Sequence, residues 1–379
     1  ILLMGSRPSV WRHFYGSCRS EVGMKLYNGL LSSSVVQCCT IQDMQELQGK
    51  TVLITGGTGS FGKNFAKHIL ANSKLKKLII FSRDELKQSQ MQMEMTDARL
   101  RFFIGDVRDL PRLQRAFNGV DVVVHAAALK QVPALEYNPF EAVKTNILGS
   151  QNVIEAAIDQ QVKKVVLVST DKAAMPANLY GSTKLCAEKL FIAGNAYSDD
   201  GKTRFSVVRY GNVVGSRGSI VEKLLLNKGA HTVHITDEHM TRFWIDLEQA
   251  FSIVLFALGH MEGGEIFIPK ALSMKLTDLF DILAPMAKRN IIGIRPGEKV
   301  HEVLLTKEEA RHAVDFKDYF VILPENVSQM KQKKGLQKYL KQSKPLKPDF
   351  QFTSDTTAGH MSQKMLLQIV SRTEEILRT

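Results

Sequence analysis

The segment STDKAAMPANLYGSTK, from Ser169 to Lys184, gathers residue types that move protons. Asp171 and Lys172 are adjacent, and Tyr180 stands four residues before Lys184. On a helix, that spacing puts the tyrosine and the lysine on one face. An ammonium beside a phenol favours the phenolate, so Lys184 is expected to draw the Tyr180 pKa down from about 10. A tyrosinate can take the proton of a hydroxyl while hydride leaves the same carbon. Such chemistry needs a hydride acceptor beside the tyrosine and a rigid frame beneath both.

The frame is legible upstream. The segment follows KKVVLV, an apolar run that reads as a buried strand. From Gly49 the chain alternates: KTVLITGG, KKLIIFSR, RLRFFIGDVRD, VDVVVHAAA and KKVVLVST read as strands, with helical spacing such as SFGKNFAKHILAN between them. This rhythm predicts an α/β fold, a Rossmann-type doubly wound parallel sheet covered on both faces. In such sheets ligands bind beyond the carboxyl ends of the strands, which is where STDK falls. After RFSVVRYGNVVG the rhythm is irregular, with helices in KLTDLFDILAPMAKR and TKEEARHAV. The expected organisation is a nucleotide-binding domain over 49–215, a smaller interwoven substrate lobe over 216–325, and a lysine-rich segment over 326–379.

TGGTGSFG lies between the first strand and the first helix. Its Gly56, Gly59 and Gly62 let the backbone approach a pyrophosphate, while Thr58, Ser60 and Phe61 open a helix whose N–H groups face that anion. The second strand ends IIFSRDELK. An acid at its end suits a ribose hydroxyl, whereas arginine suits a 2′-phosphate. Ser82 and Arg83 come first here, with Asp84 and Lys87 behind them, so the expected cofactor is NADP; a plain surface arginine is the competing reading. Asp106 and Val107 would flank the adenine. Ala126 and Ala127, with Ala128, would leave room for the ribose and nicotinamide.

The bulk properties set limits. The chain has 379 residues, 44% of them hydrophobic and 23% charged, which is ordinary for a globular protein. No apolar run approaches the roughly 18 residues of a membrane span. The formal charge is +12. Part of it lies in MKQKKGLQKYLKQSKPLKP, expected to be solvated surface. Nucleic-acid binding would need aromatic residues interleaved with those lysines, and Tyr339 alone does not supply them. Excess positive charge also suits a polyanionic small substrate. Cys18, Cys38, Cys39 and Cys186 show no zinc or C-x-x-C spacing, so a reducing, cytoplasmic setting is expected. His231 and His234 lack a third ligand, and no metal is expected. Residues 1–48 are expected to stand outside the fold, as a non-native extension ahead of a start at Met44. Their four basic residues against one acidic residue before Asp43 make a targeting signal the second reading.

Taken together, TGGTGSFG, STDK, LYGSTK, RYGNVVGSRGS, TRFW and RPGEKVHE resemble the extended short-chain dehydrogenase/reductase superfamily. Within it they resemble the inverting UDP-N-acetylglucosamine 4,6-dehydratases, which begin pseudaminic acid synthesis. The resemblance covers residues 49 to 325. It implies that Tyr180 and Lys184, with Thr170 beside them, help oxidise C4 of UDP-N-acetylglucosamine. It implies that Lys172 removes the C5 proton and that Asp171 protonates the departing C6 hydroxyl. Hydride then returns to C6, and C5 is reprotonated on the opposite face. A base at Lys172 must be neutral, which for a lysine of ordinary pKa near 10.4 requires burial or a nearby positive charge. The nicotinamide and Lys184 are expected to supply that charge. By the same resemblance Lys130, Asn212, Arg217, Gly218, Ser219, Ile220, Arg242 and Arg295 contact the substrate; for the last two a structural ion pair is the alternative. Glu298 and His301 are expected only to support. Met175 departs from the family, which usually has Asn before Pro176. A homo-oligomer is also implied. The competing functions are a UDP-sugar 4-epimerase, a C5-retaining dehydratase and a non-catalytic NADP sensor.

Overall fold

The computed structural model describes residues 44–198, 201–226, 231–325 and 334–378. Its framework is a run of parallel strands: β1 (Thr51–Thr55), β2 (Lys77–Ser82), β3 (Leu100–Ile104), β4 (Val122–His125), β5 (Lys164–Thr170) and β6 (Arg204–Tyr210). Every residue of β1 is buried. A central strand covered on both faces needs such an uninterrupted apolar run, and TVLIT supplies it. The helices α1 (Ser60–Asn72), α2 (Glu85–Glu94), α3 (Leu110–Phe117), α4 (Gly149–Asp159) and α5 (Leu179–Tyr197) form the connections.

The sheet has the order β3-β2-β1-β4-β5-β6, followed by a parallel strand at Ile266–Pro269. Three antiparallel strands, Tyr319–Ile322, Ala313–Phe316 and Lys344–Pro345, then complete ten. The order reverses between β1 and β4, so a crevice opens there at the carboxyl ends. The helix α6 (Leu247–His260) is buried on nearly every face, and Asp246 and Gln249 form a capping box at its start. A helix apolar all round belongs inside a fold, and FSIVLFAL provides that composition.

Residues beyond β6 build a lobe woven through this sheet. Asn212–Val213, Thr241–Ile245 and Leu272–Lys275 make one small sheet, and Val303–Leu305 pairs with Phe352–Thr353. Val214, Trp244, Met274 and Leu279 pack with Met361, Leu366, Ile369 and Val370 in one cluster. The last four come from the final segment of the chain. The lysine tract is thus not simply solvated surface. Leu336 and Tyr339 are buried, and the Tyr339 hydroxyl donates to the His260 carbonyl at 2.6 Å. Lys341, Lys344 and Lys347 are exposed, whereas Lys338 donates to the His260 carbonyl at 2.7 Å and pairs with Glu262 at 3.1 Å. This part of the segment is thus anchored by Leu336, Lys338 and Tyr339, which net charge alone conceals.

Candidate active site

The glycine-rich turn is shaped by close backbone approach. Gly56 has φ +64, and a Cβ there would lie 2.8 Å from Ala127 Cα. A Cβ on Gly62 would lie 2.6 Å from Gly57 Cα, so α1 presses on the turn as only glycine permits. Gly59 caps α1 without a side-chain acceptor, and no acid follows in the first turn. The helix therefore keeps N–H groups and positive dipole for an anion. The turn is closed from the lobe by the Arg217 N–H, which donates to Ser60 Oγ at 3.0 Å.

At the end of β2, Ser82 Oγ lies 2.8 Å from Thr58 Oγ1, which ties the two turns together. Asp84 caps α2, accepts from the Lys87 N–H at 3.0 Å and pairs with the Lys87 ammonium. Both are engaged locally. Arg83 is more than half exposed and reaches Asp106 only at 3.7 Å, while Asp106 holds Arg108 at 2.8 Å. Arg83 is thus the loosest cation at this edge. Val107 is buried, its carbonyl accepting from Asn152 at 3.0 Å. Thr55 Oγ1 lies 2.7 Å from His125 Nδ1 and accepts from the Ala127 N–H at 3.3 Å, which fixes the ends of β1 and β4 and the Ala126–Ala127 step. Together these residues fit a dinucleotide: a bare helix N-terminus, glycines at the closest approaches and an available arginine.

The chemistry of STDK condenses into a knot beyond β5. Asp171, wholly buried, accepts from Lys172 Nζ at 3.0 Å and from Thr170 Oγ1 at 2.9 Å through Oδ1. Among the described residues its Oδ2 is buried without a hydrogen-bond partner, as is Asn212 Oδ1. Such orphans are expensive unless a ligand completes them. Asn178 caps α5 by accepting from the Gly181 N–H at 2.8 Å, which sets Tyr180 over the turn.

Two electrostatic expectations are corrected. Burial, with a further contribution from Asp171, pushes the Tyr180 phenol up to about 12 against the pull of the Lys172 ammonium and of a hydrogen bond with Thr170. The cation acting on Tyr180 is Lys172, not Lys184. Lys184 instead donates to the Val168 carbonyl at 2.9 Å, and burial brings it down to about 8 against the opposing effect of Glu188. Lys172 is not neutralised either. Burial lowers its pKa, but the carboxylates of Asp171 and Glu302 outweigh burial and hold it above the ordinary lysine value. The positive neighbour opposing them is Arg242, not Lys184.

The substrate candidates divide. Asn212 lies in the small sheet beside Trp244. Lys130 is exposed and shares its electrostatic surroundings with Lys172, Arg217 and Glu222, which makes this mouth positive. Gly218, at φ +78, donates to the Glu222 carboxylate, Ser219 Oγ accepts from the Glu222 N–H at 3.1 Å, and Ile220 begins a helix. Arg242 is buried; it donates to the carbonyls of Thr241 and Val300 at 2.7 and 3.0 Å. Arg295 is exposed, and among the described residues its guanidinium meets Glu298 loosely, at 3.8 Å.

Sequence reasoning passed over Asn146 and Glu302. Asn146 is buried and bonds to both backbone groups of Leu129 and to Thr183 Oγ1, bracing α5 against the β4 end. Glu302 is the last residue of RPGEKVHE, and its signal was an acid inside an otherwise recognised motif. Cys186 is a free thiol, while Cys18, Cys38 and Cys39, like most of the 1–48 extension, lie outside the described residues. Among the described residues no helix is long and apolar enough to cross a membrane.

A family profile described as "Polysaccharide biosynthesis protein" matches residues 52–324. The chain belongs to the polysaccharide biosynthesis protein family. A Campylobacter jejuni (strain 81-176) protein named UDP-N-acetylglucosamine 4,6-dehydratase (inverting) is 49% identical over 330 residues, 86% of this chain and 98% of its own length. A Rickettsia conorii protein named UDP-glucose 4-epimerase is 44% identical, covering 72% of this chain and 82% of its own. The X-ray structure of Pen from Bacillus thuringiensis superimposes with a TM-score of 0.77 at 37% identity, over 86% of this chain and 98% of that one. This member of the polysaccharide biosynthesis family is an enzyme with a Rossmann-type short-chain dehydrogenase/reductase fold, and it sits with the inverting 4,6-dehydratases.

Proposed function

We propose that the enzyme is a UDP-N-acetylglucosamine 4,6-dehydratase that inverts C5, forming UDP-2-acetamido-2,6-dideoxy-β-L-arabino-hex-4-ulose for pseudaminic acid-type synthesis. The observation that carries this reading is the adjacent Asp171–Lys172 pair beside Tyr180, with Asp171 wholly buried, Lys172 partly so, and Lys172 Nζ 3.0 Å from Asp171 Oδ1. A C4 epimerase removes no proton from C5 and no hydroxyl from C6, so it would give Asp171 and Lys172 no proton transfer of their own to perform.

The residues divide the work. Tyr180, bonded to Thr170, accepts the C4 hydroxyl proton. A bound nicotinamide dinucleotide supplies the hydride acceptor for C4 and the donor for C6, and its oxidised ring adds positive charge favouring the Tyr180 phenolate and a neutral Lys172. Passage of one proton from Lys172 Nζ to Asp171 Oδ1 creates both forms that elimination requires. The amine then takes the C5 proton, acidified by the adjacent ketone. The carboxylic acid gives its proton to the C6 hydroxyl, which leaves as water. The proton taken from C5 replaces the one given to the C6 hydroxyl, so the pair returns to its ammonium–carboxylate form with no net change before C5 is reprotonated.

We assign NADP as the cofactor, with Ser82 and Arg83 at the 2′-phosphate. Gly56, Thr58, Gly59, Ser60, Phe61 and Gly62 would hold the pyrophosphate. A cytoplasmic homo-oligomer belongs to the same proposal. The test is UDP-N-acetylglucosamine incubated with the protein and catalytic NADP in deuterated water, followed by mass spectrometry and proton NMR. Loss of one water, with deuterium at C5 and an inverted coupling pattern, is the expected result. Retained C5 would overturn the inverting assignment, and an unchanged mass with a C4 epimer would replace dehydration with epimerisation.

A further inference from the structure

We propose that Glu302 is a positioning residue for Lys172: delivered by the RPGEKVHE segment, it fixes where the ammonium sits and how readily it hands its proton to Asp171. This deepens the dehydratase reading and rests on it for the role of Lys172.

Glu302 is only 2% exposed. Acids are almost never so buried unless paired. It faces three cations from three parts of the chain: Lys299 Nζ at 3.0 Å, Lys172 Nζ at 3.6 Å and Arg242 Nε at 3.8 Å. Its backbone is clamped as well. The Glu302 N–H donates to Ser354 Oγ at 2.8 Å, and its carbonyl accepts from the Ser354 N–H at 2.9 Å. The carboxylate therefore cannot drift from the turn it faces.

The same segment grips the turn on both sides. Lys299 Nζ donates to the Ala174 carbonyl at 3.0 Å, and the Gly297 carbonyl accepts from Asn178 Nδ2 at 2.8 Å. Ala174 follows the Asp171–Ala173 turn and Asn178 caps the helix of Tyr180. Glu302 closes the third point, on Lys172 itself.

The charges explain why a second carboxylate is present. Lys172, Arg242 and Lys299 are balanced in part by Asp171 and Glu302. When Lys172 passes its proton to Asp171, both become neutral, and Glu302 keeps Arg242 and Lys299 as counter-ions. Glu302 thus stays ionised throughout, which Lys172, Lys299 and Arg242 favour against the effect of its burial. The other titratable groups around Lys172 are Tyr180 on α5 and Lys130 after β4. Glu302 opposes release of the Lys172 proton, and Lys299, by offsetting Glu302, eases it.

This opposition gives the experiment. In the full-length protein, lysines are labelled with trace acetic anhydride at one alkaline pH, and the Lys172 peptide is quantified by mass spectrometry against exposed Lys163. Labelling follows the fraction of neutral amine. Glu302→Gln is expected to raise the Lys172 rate about tenfold, as a pKa lower by about one unit does. Lys299→Met is expected to lower it. Simple loosening of the segment would raise both rates, and that outcome, or no change in either, overturns the proposal. Should Glu302→Gln not fold, Lys299→Met decides alone: a rate unchanged or raised is fatal. Deuterium exchange at C5 of UDP-N-acetylglucosamine is followed in parallel, with its acid limb expected at lower pH in Glu302→Gln. Absence of C5 exchange in the unaltered protein would refute the dehydratase reading, while the labelling still decides the role of Glu302.

Discussion

Gly181 lies directly against the backbone carbonyl of Lys172: a Cβ on Gly181 would come within 2.2 Å of that oxygen. The helix carrying Tyr180 and the turn carrying Asp171 and Lys172 are therefore seated on each other with no room for a side chain. Gly181→Ala should gain up to about 1 kcal/mol of helix propensity. The overlap is with backbone, however, and the turn must move to relieve it. We expect a folded protein by circular dichroism whose kcat for water loss falls by about a hundredfold, the scale of an ångström-level misplacement. Retained activity would show that the turn tolerates movement.

Met175 has φ +49 and is more than half exposed. Left-handed backbone costs an ordinary side chain roughly 1–2 kcal/mol, and asparagine is among the few residues that adopt it readily. This gives a physical reason for the asparagine that the family resemblance implies at this position. Met175→Asn should raise stability by about 0.5–1 kcal/mol, read as a higher urea midpoint at unchanged slope. A lower midpoint would mean that the contact of Met175 with Gln351 matters more than the strain.

Lys184 is buried and brought down to about 8, whereas the unfolded chain titrates near the ordinary lysine value. Between those two pH values the unfolded state binds more protons, so stability from this group rises with pH across the window. Below about pH 8 both states are protonated and the full penalty of a buried charge persists. Lys184→Met removes the penalty. Its stability relative to the unaltered protein should therefore be most favourable near neutral pH and decline as pH rises from about 8 toward 10.5. A pH-independent difference in urea midpoint would contradict the assignment.

Arg209 is fully buried and every guanidinium donor is engaged: with Glu188 at 3.1 and 2.6 Å, with Glu309 at 2.8 and 3.0 Å, and with the Leu304 carbonyl at 3.0 Å. The triad joins β6, α5 and the segment after RPGEKVHE. Arg209→Met strands the buried Glu188 and should cost about 3–5 kcal/mol in denaturant unfolding. A cost below about 1 kcal/mol would show that water or rearrangement rescues the carboxylates.

Arg83 bears on the choice of dinucleotide. If its guanidinium meets a 2′-phosphate, Arg83→Ala should weaken NADP binding by about ten- to hundredfold, the worth of a charged hydrogen bond, and leave NAD binding nearly unchanged. Fluorescence titration with both dinucleotides measures this. Equal effects on the two would remove Arg83 from the 2′-phosphate.

Local sequence carried a great deal. The apolar runs of β1, β4 and β5 suit covered parallel strands, and TGGTGSFG between a strand and a helix sets the tight glycine turn proposed to cradle the cofactor. The adjacency of Asp171 and Lys172 and the Tyr180–Lys184 spacing are properties of the chain itself, so the chemical groups of the candidate site were visible before any fold. Their charge states were not. Whether Lys172 is neutral depends on Glu302 and Arg242, which arrive from segments far along the chain, and that Lys172 rather than Lys184 acts on Tyr180 depends on how the turn after β5 folds against α5. Electrostatic energy follows distance and burial, and neither is encoded in spacing along the sequence. The lysine tract shows the same limit: its charge was legible, but the packing of Tyr339 on Phe267 and Phe316, like the bonds of Ser354 to Glu302, forms only when the chain returns to the sheet it began.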